Sequence, residues 1–162
     1  MKYSIILPTL NEEMSLVSMK RCIQALKKKL GAEIIIVDGS STDDTKRIAE
    51  SLADKVYDSD PSRSLQLNKG VMHATGKYYI FLHADTILDD DAIDSILSIG
   101  ENFEWGFFKI KLNRKALKYS FLAYCINLRS KLFNYCTGDQ VLILNKSIFH
   151  KVNGYREIEL ME

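Results

Sequence analysis

The sequence lacks what would place it in several familiar classes. No apolar stretch reaches the roughly 20 residues that cross a bilayer, and there is no internal repeat and no low-complexity linker. The three cysteines, Cys22, Cys125 and Cys136, are an odd count with no CxxC pair and no zinc-ligand spacing. That excludes a disulfide framework and a zinc module. Glycine-rich phosphate loops are missing: neither GxGxxG nor GxxxxGK occurs, so the dinucleotide and P-loop classes lose support. An excess of one charge is missing too. Lys and Arg number 22 against 21 Asp and Glu, and the pI is near 7.7, which gives no electrostatic footprint for nucleic acid. Met1-Lys2-Tyr3 already reads as the start of a strand, so no leader is expected. With the cysteine usage this predicts a reducing, cytoplasmic setting.

What is present is a chain of 162 residues, 46% hydrophobic and 27% charged, sufficient for one domain with a sizeable core. Strand and helix patterns alternate along it. YSIILP (3–8) reads as a strand. Asn11 reads as a helix cap with Glu12 and Glu13 in the first turn. Leu16, Met19, Ile23, Leu26 and Leu30 then recur on one helical face, and Gly31 ends it. EIIIVD (33–38) is an unbroken apolar run, as expected of a strand covered on both faces. A helix over about 42–53, a short strand at 54–58 and a helix over 62–75 follow. YYIFLH (78–83) is the next strand. Asp89, Asp90 and Asp91 open a helix with Ile93, Ile96 and Leu97 inward and Gly100 as its stop. WGFFKIKL (105–112) predicts a strand, 115–133 a helix, QVLIL (140–144) a strand, and a short helix runs to about Val152. This alternation predicts an α/β fold, a mainly parallel sheet with helices on both faces.

In such a sheet the ligand lies beyond the carboxyl ends of the strands. Three polar clusters fall there: Thr9, Asn11 and Glu12; Asp38, Gly39 and Ser40; His83 and Asp85. Asp38 could accept both hydrogen bonds of a ribose diol or a base amide, or could equally be a turn residue with Gly39 and Ser40. On an extended chain His83 and Asp85 point the same way. Asp85 could be the carboxylate that Mg²⁺ or Mn²⁺ needs when water and phosphate complete the shell, or a loop residue beside Thr86.

The segments SIILPTLNEE, IIIVDGSSTDDT, RSLQLNKG and FLHADT, followed by WGFF (105–108), GDQ (138–140) and NGYREIELME, resemble in order a family-2 glycosyltransferase with the GT-A fold. The nearest resemblance is to a bacterial branch with HADT where DxD is usual, and it covers nearly the whole chain. It implies a Rossmann-like nucleotide-diphospho-sugar transferase and a metal-dependent, inverting transfer of sugar to an acceptor hydroxyl. Pro8, Thr9, Asn11 and Glu12 would then line the nucleotide pocket and Asp38 would bind the base. Arg63 and Gln66 would face the nucleotide or its diphosphate. Asp85 would hold the divalent cation, and His83, where the family has an aspartate, would face the ribose or phosphate. Gly138, Asp139 and Gln140 would face the acceptor, or form a tight turn before an edge strand.

The resemblance further implies one domain over 1–162, with a donor half at 1–100 and an incomplete acceptor half at 101–162. Its base would be an aspartate directly after NGYREIELME, past Glu162, with Asp139 and Glu159 the candidates within the chain; transfer by these residues alone would then be weak. Expected partners are a nucleoside-diphosphate sugar and an acceptor of unspecified kind, with no nucleic acid. Self-association is a further expectation. A binding module without turnover and a phosphohydrolase using His83 and Asp85 are the competing readings; His73 and His150 lie on predicted helices without nearby carboxylate motifs. The stripe of Leu117, Phe121, Tyr124, Leu128 and Leu132, mixed with Lys115, Lys118, Arg129 and Lys131, reads as a core-facing helix, with a membrane-surface helix as the other reading.

Overall fold

The frame follows from the apolar runs. Tyr3–Thr9 (β1) and Glu33–Asp38 (β2) are buried along their whole length, as parallel strands covered on both faces are. The computed structural model describes residues 1–112, 117–138 and 140–157. Among these, β1 and β2 join Lys55–Asp58 (β3), Tyr78–Phe81 (β4), Trp105–Phe107 (β5) and Leu142–Asn145 (β6) in one sheet, ordered β3-β2-β1-β4-β6-β5. β1 to β4 are parallel. β6 is antiparallel to both its neighbours.

Glu13–Leu30 (α1), Thr45–Leu52 (α2) and Asp90–Leu97 (α4) cover one face. Their Leu16, Met19, Ala49 and Ile93 pack on Tyr3, Ile5, Ile34 and Ile80. Arg63–Met72 (α3) and Lys146–Lys151 (α6) cover the other, with Leu67, Val71 and Phe149 against Ile6, Val37 and Phe81. The alternation of β1 decides which residue serves which layer. Leu117–Phe133 (α5) lies between β5 and β6 in the chain.

Pro8 stands in a central strand, where proline usually breaks the ladder. Here β4 pairs with β1 only as far as Ile6, which accepts from Leu82 N–H at 3.1 Å. The hydrogen that Pro8 lacks would point past the last rung, so its absence costs nothing.

Several expectations hold. The five-residue stripe of α1 is buried, Gly31 caps it with φ 58°, and Asp89 caps α4 by accepting from Ala92 N–H at 2.9 Å. Others are corrected. Asn11 does not cap α1; the cap position is Glu12, without a side-chain bond. The strand at 78–83 stops at Phe81, and that at 105–112 stops at Phe107. The turn at 138–140 precedes not an edge strand but one held between β4 and β5. Leu97 is exposed. The α5 stripe faces outward: Leu117, Phe121, Tyr124, Leu128 and Leu132 are exposed, and the buried residues are Ala123 and Ser130. Asp139, Glu159 and Glu162, with Lys115, lie outside the described residues.

Candidate active site

The carboxyl ends of β1 and β2 are level with one another, and β4 ends three residues below them. Thr9 pairs with Asp38, and Ile6 with Phe81, so the turn after β4 rises beside Pro8 and Thr9. Two loops are stitched together over β1 and β2. The hydroxyl of Thr9 donates to Asp38 Oδ1 at 3.2 Å, that of Ser41 to the same oxygen at 2.6 Å, and Ser41 N–H to Oδ2 at 2.8 Å. Asn11 N–H donates to Ser41 Oγ at 2.9 Å, and Asn11 Oδ1 accepts from Thr42 N–H at 2.9 Å. Glu12 N–H donates to Thr45 Oγ1 at 2.7 Å. Asn11 and Ser40 both have positive φ, 54° and 67°, a conformation that non-glycine residues hold only where the surroundings fix it.

Asp38 is therefore first an organiser. It is 2% exposed, and three of the roughly four acceptor positions of a carboxylate are taken. Pro8 and Thr9 are likewise buried at the end of β1, beneath these loops. Glu12, at the start of α1, is half-buried, and Asn11 is exposed.

Gln66 departs from expectation. It is 4% exposed, and its Nε2 donates to Thr9 O at 2.7 Å and Val37 O at 2.9 Å. The amide bridges the last residue of β1 and the next-to-last of β2, so its N–H groups are engaged by the strand ends. Gly39 makes this possible: a Cβ there would meet Gln66 Nε2 at 3.0 Å and Pro61 Cα at 3.3 Å. The start of α3 can thus press against the second loop. Arg63 is the first residue of that helix and is half-buried.

His83 and Asp85 do not share an extended strand. Thr86 N–H donates to His83 O at 3.1 Å, which closes a turn. His83 is half-buried at its start, and Asp85 is exposed near its tip, with Thr86 Oγ1 donating to Oδ1 at 3.3 Å. Among the described residues no group of three His, Cys, Asp or Glu side chains converges. A lone exposed carboxylate at a strand end suits a hard cation whose remaining ligands are water and phosphate oxygens. Asp85 fits that use.

On the far side, Gln140 is also buried, at 2% exposure. Its Oε1 accepts from Ser130 Oγ at 2.8 Å and Thr137 N–H at 3.1 Å, and its Nε2 donates to Phe108 O at 3.2 Å. It ties the 137–140 turn to α5 and to the residue after β5, and Gly138 is exposed. The Gln140 amide is thus engaged inside the fold.

Sequence reasoning missed Asn68. Its Nδ2 donates to Tyr155 O at 2.9 Å and its Oδ1 accepts from Tyr155 N–H at 3.0 Å. Tyr155 also packs its ring edge-on to Phe81, centroids 5.1 Å apart. Burial pushes its phenol well above the ordinary value, and the nearby Cys136 adds to the shift. Gly154, at φ 72°, must be glycine twice over, since a Cβ would also lie 2.8 Å from Asn68 Oδ1. The pairing of RSLQLNKG with NGYR was the available signal.

The comparisons with known proteins agree with this architecture. The model of glycosyl transferase family 2 matches residues 4–102. The chain belongs to glycosyl transferase family 2. A PGL/p-HBAD biosynthesis glycosyltransferase of Mycobacterium bovis (strain BCG / Pasteur 1173P2) is 30% identical over 81% of this chain and 60% of its own. The chain thus spans about 60% of the length of the curated relatives it matches. Among solved structures, S. aureus TarS 1–349 superposes with a TM-score of 0.73 at 19% identity, covering 100% of this chain and 52% of TarS. The mannosyltransferase PcManGT from Pyrobaculum calidifontis, in complex with GDP-Man and Mn²⁺, gives 0.69 at 20% identity, covering 96% and 47%. Glucosyl-3-phosphoglycerate synthase from Mycobacterium tuberculosis, in complex with Mn²⁺, UDP and glucosyl-3-phosphoglycerate, gives 0.63 at 20% identity, covering 91% and 58%. These likenesses establish the GT-A α/β fold.

Proposed function

We propose that this domain binds a nucleoside-diphosphate sugar in the crevice over β1, β2 and β4, and that its sugar passes with inversion to an acceptor hydroxyl. The observation that carries the reading is the convergence of three strand ends: the Asp38–Ser41–Asn11 web, the start of α3 with Arg63, and the turn bearing Asp85. Asp38 has one acceptor position left for a base N–H. Glu12 would accept from a ribose hydroxyl. Arg63 can grip diphosphate oxygens with its planar fork, and His83 can donate to ribose or phosphate.

The reaction breaks the bond between the anomeric carbon and the diphosphate oxygen and forms one from that carbon to the acceptor oxygen. Electrons of the broken bond leave with the nucleoside diphosphate, and the anomeric centre becomes oxocarbenium-like. Arg63 opposes the charge that develops on the leaving group. A divalent cation held by Asp85 would add positive charge at the same place. The acceptor proton goes to a positioned carboxylate. Gly138, Asp139 and Gln140 are assigned to the acceptor side, with Asp139 and Glu159 the candidates for the base within these residues.

Thermal melting with UDP, GDP and their sugar conjugates, each with and without Mn²⁺, tests the donor site. A ligand of the folded state at 100 times its dissociation constant adds about 2.7 kcal/mol. At least one nucleoside diphosphate should raise the melting temperature, and more so with Mn²⁺. No shift with any of them overturns the proposal. A shift without sugar transfer to any hydroxyl acceptor would leave a donor-binding module, the competing reading.

A further inference from the structure

α5 is a helix turned inside out. Ala123 and Ser130 are its buried residues, and Asn127 and Ser130 bond it to the rest of the fold. The Asn127 side chain donates to Ile110 O and accepts from Ile110 N–H, both at 2.9 Å, and Ser130 Oγ donates to Gln140 Oε1 at 2.8 Å. Its large side chains point away: Leu117 is 89% exposed and Phe121 68%, and Tyr124, Leu128 and Leu132 are exposed with them. At about 100° per residue these five share one narrow face, well away from Ala123 and Ser130. Lys118 and Arg129 run along one edge of that face and Lys131 along the other, all exposed.

A second observation concerns charge. Seven of the chain's 22 basic residues lie between Trp105 and Gly138, and none of its 21 acidic ones. The rest of the chain carries six more acidic than basic residues. Overall neutrality hides a segment of one sign, and that segment contains the outward apolar face.

We propose that α5 docks on an anionic lipid surface, its apolar face at the headgroup boundary and its basic edges on the lipid charges. An apolar face with Phe and Leu flanked by Lys and Arg is the pattern of a helix lying in a membrane interface. Among the described residues no helix is long and apolar enough to cross a membrane, so the contact is lateral. The surface lies next to the crevice. β6 begins at Leu142, which pairs with both Phe81 and Phe107 at the carboxyl ends of β4 and β5, and Gln140 ties α5 to this edge. A docked domain would hold the acceptor side of the crevice against the lipid. The proposal does not rest on glycosyl transfer, because docking is read without donor or acceptor.

Flotation of the protein with phosphatidylcholine vesicles, and with vesicles containing about one-third phosphatidylglycerol, tests it. The protein should float with the anionic vesicles, and added salt should weaken this. Lys118→Glu with Lys131→Glu should lower partition by roughly ten-fold or more, and Phe121→Glu with Leu128→Glu should abolish it. Both variants should keep the parent's circular dichroism and melting temperature, since all four side chains are exposed. Protein that stays unbound with anionic vesicles overturns the proposal, and so does binding that neither pair changes. A concentration-dependent dimer, dissolved by the Phe121 and Leu128 changes and indifferent to vesicles, would assign the face to a second copy instead and also overturn it.

Discussion

Asn68 and Tyr155, 87 residues apart, close a ring of two hydrogen bonds, side-chain amide to backbone in both directions, at 2.9 and 3.0 Å. The ring joins the middle of α3 to the segment after α6. A single asparagine thus ties the helix that begins at Arg63 to the segment after α6. Asn68→Ala should cost about 1–3 kcal/mol of stability, because two partly buried backbone groups lose their partners. In transfer assays it should lower kcat more than it raises the donor's KM. Amide exchange at Tyr155 should quicken in the same variant; unchanged exchange would show that the ring of bonds does not hold the segment.

Gln66 offers a second separation of architecture from binding. Its amide is the donor to Thr9 O and Val37 O, and Leu can match its bulk without its hydrogens. Gln66→Leu should destabilise by about 1–3 kcal/mol and weaken nucleotide binding equally with and without metal, since it acts through the strand ends. A variant as stable as the parent but with altered metal dependence would return Gln66 to the diphosphate.

The distribution of successes and misses has a physical reason. β1, β2 and α1 were legible because burial on both faces writes an unbroken apolar run and one-sided burial writes a three-and-four spacing. β6 was legible as a strand, but its place between β4 and β5 and its direction are set by tertiary pairing, which leaves no local mark. The spacing in α5 correctly gave a helix with one apolar face. What that face meets is not in the spacing, and the face meets solvent. Gln66 and Gln140 sit in motifs that suggest contact with ligand, yet both amides are engaged inside the fold. Type and position identified the neighbourhood, and only the path of the backbone decided which way each amide turned.

Glu33, at the opposite end of the sheet from the crevice, gives the molecule an acid-sensitive point. Burial pushes its carboxyl up, but bonds from Ser4 Oγ, from Thr75 N–H and Oγ1, and from Lys55 Nζ outweigh this and hold it at about 2 against an ordinary 4.5. A carboxyl lowered in the folded state binds fewer protons there than when unfolded, so its contribution is complete above pH 4.5 and is lost as pH falls from there through about 2. The contribution is on the order of 3 kcal/mol. Denaturant melts of the parent and Glu33→Gln should differ by a constant amount above about pH 5 and converge below 4.5. Parallel curves down to pH 2.5 would rule this out.

Asp85 and Asp38 are two carboxylates with opposite surroundings, and a pair of substitutions separates their roles. Asp85 is exposed on its turn, with one hydroxyl near it, so Asp85→Asn should leave the melting temperature of the unliganded protein unchanged. It should abolish the tightening of nucleoside diphosphate binding by Mn²⁺, since an amide gives a hard cation no charge. Asp38 is buried and accepts three bonds, so Asp38→Ala should destabilise by about 1–3 kcal/mol. It should also weaken nucleoside binding with or without metal, because its remaining acceptor position is assigned to the base. Calorimetric titrations with a nucleoside diphosphate and with the free nucleoside, each with and without Mn²⁺, read both effects. Metal dependence that survives in Asp85→Asn and disappears in Asp38→Ala would reverse the two assignments.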